Sequence, residues 1–124
     1  MLAVHGHGTT KETIDYAWRL AEMGAVVLAP DLRGFGERSD STPDDHYHCD
    51  NDLVNAVLVG TTPFAQNLWD MSRCIDLLQG LPFVDRERVG VCGWSYGGTV
   101  ALFLAAWDER VKAALVSCAF ASHA

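Results

Sequence analysis

With 124 residues and 49% apolar composition, the chain has the size of one domain and the material for a real core. The balance of 9 Lys and Arg against 16 Asp and Glu leaves a formal net charge of -7, which speaks against a surface for phosphate backbones, so no nucleic-acid partner is expected. Its apolar runs are broken by Gly, Pro or charge well short of the roughly 20 residues that span a bilayer, so no membrane partner is expected either.

The first run, Leu2-Ala3-Val4, reads as a strand, with no basic region or long apolar leader of the secretory kind. A helix is predicted next, opening at Thr9-Thr10-Lys11-Glu12, where Thr9 at the N-cap and Glu12 three residues on form a capping box, and closing near Met23-Gly24. Ala25 to Ala29 is a continuous apolar run and a second strand. From 34 to about 61, charge, turn formers around Ser39 to Ser41 and the lack of a period predict an irregular excursion partly covering a site. The next helix begins at Thr62-Pro63, repeats apolar residues at Phe64, Leu68, Met71, Ile75 and Leu78, and stops at Gly80 and Pro82. Val89 to Cys92 is a third strand. A helix from about Ser95 to Trp107 gathers Val100, Ala101, Leu104 and Ala105 on one side, and Ala113 to Cys118 is the last strand. Strands apolar on both faces, alternating with helices, specify an α/β fold: a mostly parallel sheet of about four strands with helices on both faces, in one domain over 1–124.

Cys49, Cys74, Cys92 and Cys118 form no Cys-x-x-Cys pair and read as free thiols of a reducing, cytoplasmic compartment. His5 and His7 alternate along a strand and point to opposite faces, which does not suit one metal ion. His46, His48, Cys49 and Asp52 lie in the irregular excursion without a second ligand pair, and read as a solvated loop. No metal and no cofactor are expected.

The most specific signal is Val89-Gly90-Val91-Cys92-Gly93-Trp94-Ser95-Tyr96-Gly97-Gly98, a Gly-x-Ser-x-Gly between a predicted strand and a predicted helix. That context is what a nucleophile elbow requires: the serine projects from a sharp turn, the flanking positions must lack bulk, and the helix N-terminus points its amides where an oxyanion forms. Ser95 is the candidate nucleophile, and the N–H of Tyr96, the residue after it, is one candidate oxyanion donor. Trp94 and Tyr96 flank the serine, placed either to line a substrate pocket or to pack under neighbouring loops.

With these residues the chain resembles the α/β-hydrolase superfamily, and within it the dienelactone hydrolase and acetyl xylan esterase-like group. Val4-His5-Gly6-His7-Gly8 resembles the group's oxyanion strand end. Ala29-Pro30-Asp31-Leu32-Arg33-Gly34-Phe35-Gly36 resembles the turn after its next strand, and Leu81-Pro82-Phe83-Val84-Asp85-Arg86-Glu87-Arg88-Val89 the approach to its elbow strand. The likeness covers nearly the whole chain. It implies that the strands are the third to sixth of an eight-stranded sheet, that the backbone N–H of His7 is the second oxyanion donor, that Asp31 and Arg33 shape their loop, and that the reaction is hydrolysis of a small-molecule carboxylic ester.

The superfamily's triad runs Ser, then Asp or Glu, then His. Among the 29 residues after Ser95, Asp108 and Glu109 precede the last strand, at the wrong end of the sheet, and His123 is the only imidazole. The expectation is therefore a fragment without its acid and base, weak or inactive alone, whose bare final strand invites self-association through the sheet edge. A prolyl oligopeptidase-like serine peptidase and a non-catalytic binding module of the same fold are the alternatives.

Overall fold

The computed structural model describes residues 1–39 and 49–119; His46, His48 and His123 lie outside them. Three parallel strands, β1 (Leu2–Val4), β2 (Val89–Trp94) and β3 (Val111–Ser117), pair in the order β1-β2-β3. Leu2 faces Val91 across the first ladder and Leu115 faces Cys92 across the second. The strand that leads into Ser95, β2, is therefore central.

The helices are α1 (Asp15–Glu22), α2 (Cys49–Leu58), α3 (Pro63–Gly80) and α4 (Tyr96–Trp107). Successive strand residues point to opposite faces, and the core divides accordingly. Leu2, Val4, Val89 and Val91 pack with Met71, Ile75 and Leu78 of α3 and Val100, Ala101 and Leu104 of α4. Ala3 and Cys92 pack on the other face with Ile14 and Ala17 at α1. Both faces of β1 and β2 are thus covered by helices. Most of β3 is exposed. The predicted stripe of α3 is its buried face, and its predicted start is realised: the Thr62 hydroxyl accepts from the Ala65 N–H at 3.1 Å, with Pro63 following.

Three expectations are corrected. The run Ala25 to Ala29 is not a full strand: it lies beside β1 and meets it at one parallel bridge, Leu2 to Leu28, with Ala3 N–H on Leu28 O at 2.9 Å and Leu28 N–H on Met1 O at 3.0 Å. Since β1 is only three residues long and Pro30 has no N–H to extend the ladder, the sheet has three strands among the described residues where about four were expected. The first helix is split into a 3₁₀ turn over Lys11–Thr13 and α1, with Ile14, at φ -93° and ψ 89°, outside the helical region between them. Its start is closed by Thr10 and Thr13, the Thr13 hydroxyl accepting from Thr10 N–H at 3.2 Å, while Thr9 turns back to Gly6. Finally, the excursion over 34–61 contains α2. Its Val54, Val57 and Leu58 are exposed and only Ala56 is buried among its described side chains, so no apolar face registered with the core. Among the described residues, no helix is long and apolar enough to cross a membrane.

Candidate active site

At the C-terminal end of the central strand, the chain turns through Ser95 with φ 55° and ψ -122° and enters α4 at once. This is a conformation that non-glycine residues avoid, and it holds only where the surroundings enforce it. Enforcement comes from both sides. Ser95 N–H donates to Ser117 O of β3 at 2.8 Å, and Ser95 O accepts from Thr99 N–H of α4 at 3.0 Å. The turn is also crowded: a Cβ on Gly93 would stand 2.1 Å from Gly97 O, and one on Gly97 would stand 2.1 Å from Val4 O and 2.4 Å from His5 O. Only glycine lets α4 begin this close to β1 and β2. Ser95 itself is half-buried at the point where the three strands end.

Beside it, β1 runs into the segment His5 to Thr9. Val4 O accepts the Tyr16 hydroxyl at 2.6 Å, and burial of that phenol pushes its pKa up to about 12, so it remains a neutral donor. His5 is fully buried. Its Nε2 accepts from Leu32 N–H at 2.9 Å and its Nδ1 donates to Gly6 O at 2.8 Å. Burial depresses its pKa, overcoming the opposing pull of the Gly6 carbonyl and of Asp31. The 3.9 Å approach of Asp31 to Nε2 is therefore not an ion pair, because that nitrogen offers its lone pair to Leu32.

His7 follows, exposed, its ring edge-on to Phe35 at 5.3 Å and to Tyr96 at 6.4 Å. The two residues expected to offer oxyanion donors thus stand together. The aromatics flanking Ser95 diverge. Tyr96 lies on the α3 side, against Phe64 at 6.2 Å, and its hydroxyl accepts from Asn67 Nδ2 at 3.3 Å. Trp94 points to the α1 side, where with Tyr16, Leu20, Met23, Leu115 and Val116 it lines a largely apolar groove of about 660 Å³.

Asp31 and Arg33 are bound into their loop. Asp31 accepts from the N–H of Lys11 at 2.8 Å and of Glu37 at 3.2 Å, with the Lys11 ammonium at 3.3 Å. Burial raises its pKa, but these donors outweigh burial and hold it below the ordinary value. Arg33 grips Asp70 of α3 with two bonds, at 2.7 and 2.8 Å, and Arg38 adds a third at 2.7 Å. Asn67 was not singled out in the sequence, yet it ties Arg33 N–H, at 2.9 Å, to the Tyr96 hydroxyl. Its signal was there: it lies four residues before Met71, a polar side chain on an apolar stripe.

Asp108 is held by Ser72 at 2.9 Å and by Arg110, whose guanidinium lowers its pKa to about 2. It caps the far end of α4, and twelve helical residues place it about 18 Å from Ser95. Neither it nor exposed Glu109 reaches Ser95.

Residues 1–123 match the Alpha/beta hydrolase family. Acetyl xylan esterase 1 from Thermoanaerobacterium superposes with a TM-score of 0.65 at 27% identity, over 91% of this chain and 37% of its own. A protein of Methylorubrum extorquens provisionally named carboxymethylenebutenolidase is 29% identical over 86% of this chain and 34% of its own length. Dipeptidyl-peptidase 5 of Porphyromonas gingivalis is 28% identical over 88% of this chain and 14% of its own length. The chain spans no more than 37% of the length of any of these three. The family match, the parallel sheet between two helical layers and the serine turn at the end of its central strand agree: this chain belongs to the alpha/beta hydrolase family, and its resemblance to dienelactone hydrolases and acetyl xylan esterases holds.

Proposed function

We propose that this chain carries the nucleophile and both oxyanion donors of a serine-dependent carboxylic ester hydrolase, and that the acid and base of its triad reside on polypeptide outside these residues. The observation that carries the reading is Ser95 in its left-handed turn, half-buried at the end of the central strand with α4 starting behind it. Such a turn costs on the order of 1–3 kcal/mol, and strain of this kind clusters at reactive sites. In the reaction, Ser95 Oγ attacks the ester carbonyl while the base takes its proton. The N–H groups of Tyr96 and His7 hold the oxyanion, each typically contributing about 10² to 10³ in rate. Collapse expels the alcohol, protonated by the base, and water then frees the acid from Ser95 by the same steps.

The esterase neighbours support an ester as substrate. A peptidase reading draws on the likeness to dipeptidyl-peptidase 5, and relative rates on matched ester and amide substrates separate the two. Free thiols at Cys74, Cys92 and Cys118 support a reducing compartment such as the cytoplasm.

The test is hydrolysis of p-nitrophenyl acetate and labelling by a fluorophosphonate, each against Ser95→Ala, in this chain and in the longer polypeptide that contains it. The proposal expects the longer protein to label and turn over only with Ser95 present, and the 124-residue chain to differ little from its variant. Equal labelling of the longer protein and its Ser95→Ala form would overturn the reading. A large excess for the short chain would overturn its second half, the external acid and base.

A further inference from the structure

We propose that Thr9 is a positioning residue for the oxyanion site: its hydroxyl and the His5 imidazole together clamp the Gly6 carbonyl, and so aim and strengthen the His7 N–H. This rests on the reading of His7 as an oxyanion donor.

A trans peptide is planar, so the Gly6 carbonyl and the His7 N–H point in opposite directions within one rigid unit; no cis peptide is present among the described residues. Whatever fixes the carbonyl fixes the N–H. Gly6 O accepts from Thr9 Oγ1 at 2.9 Å and from His5 Nδ1 at 2.8 Å, which uses both of its lone pairs. The His5 bond cannot reverse, since Gly6 O is only an acceptor and the opposite ring nitrogen, Nε2, is occupied by Leu32 N–H. The imidazole is thus locked in one tautomer by backbone at both ends, and it is fully buried.

From the other side Gly6 meets the Trp94 ring, whose Cε3 would stand 2.8 Å from a Cβ at that position. The peptide is held against both rotation and shift. Gly8, with φ 81°, makes the turn that brings Thr9 back over Gly6. Hydrogen bonds accepted by a carbonyl draw electron density from the amide nitrogen, and the N–H becomes a better donor. Thr9 thus acts on the oxyanion through one peptide unit, without touching substrate.

The test compares Thr9→Val, which keeps the shape and removes the hydroxyl, with Thr9→Ser, which keeps the hydroxyl. In carbon- and nitrogen-labelled 124-residue chain, Thr9→Val is expected to move the Gly6 carbonyl carbon and the His7 amide nitrogen upfield, and Thr9→Ser to leave both near their original positions. In the longer catalytic polypeptide, Thr9→Val is expected to lower kcat about five- to fiftyfold with KM unchanged, as a misaimed donor would, and Thr9→Ser to recover most of the rate. Should Thr9→Val not fold, Thr9→Ala serves in its place. Unmoved Gly6 and His7 resonances, or a rate loss that Thr9→Ser shares, would overturn the proposal. If Ser95→Ala instead equals the wild type in catalysis, the esterase reading fails, while the resonance shifts still judge the clamp on their own.

Discussion

Gly97→Ala is the sharpest perturbation of the turn from β2 into α4. A Cβ there would stand 2.1 Å from Val4 O and 2.4 Å from His5 O, both backbone atoms that no rotamer change can move aside. Relief requires α4 to withdraw from β1 by roughly 1 Å, in an interior packed too densely to absorb it. Overpacking of this kind costs about 1–3 kcal/mol where side chains yield, and more where backbone must. We therefore expect a loss of about 3 kcal/mol or more, a large part of the 5–15 kcal/mol typical of a domain. With a urea slope of about 1–3 kcal/mol per molar, the unfolding midpoint followed by circular dichroism should fall by roughly 1–3 M. Gly80→Ala is the control, since nothing lies within 4 Å of a Cβ there, and it should leave the midpoint unchanged or slightly raised. A Gly97→Ala midpoint within about 0.3 M of wild type would refute the claim that glycine at this position is what lets the helix dock.

Two further outcomes are expected. Folding lowers the pKa of His5 from its ordinary 6.5, so the unfolded chain binds more protons there, and stability should be full above about pH 6.5 and decline as pH falls below it; Asp108, held at about 2 against 3.8, adds a second decline as pH drops from 3.8 toward 2. A urea midpoint that does not fall between pH 8 and 5 would remove the His5 contribution. Along β3 the outer edge has no strand partner among the described residues, Lys112 is its only charge, and Leu115 and Val116 are 60% and 38% exposed, so concentration-dependent association in sedimentation is expected, reduced by Val116→Lys. A monodisperse monomer at all concentrations would contradict it.

Much of this was legible in the sequence because it is local. Thr62 before Pro63, the apolar stripe from Phe64 to Leu78, and the glycines around Ser95 each follow from constraints within a few residues, and the structure realises them. Where burial did not follow apolarity, the reading failed. α2 turns Val54, Val57 and Leu58 to solvent, and its β-branched residues are weak helix formers, so neither pattern nor propensity marked it. The run from Ala25 to Ala29 is apolar enough for a strand, but the three-residue partner at β1 allows it one bridge.

By itself the sequence determined the α/β alternation and the tight turn around Ser95, because period and turn chemistry are written in consecutive residues, and its resemblance to known hydrolases pointed to the family. The tertiary structure alone decided that β2 is the central strand, with His7 on one side of Ser95 and Ser117 on the other. It alone sent Trp94 and Tyr96 to opposite faces of the sheet, and joined His5, Gly6 and Thr9 through one carbonyl. These depend on pairings between segments up to about 90 residues apart and on the direction of single hydrogen bonds, neither of which leaves a periodic trace in the chain.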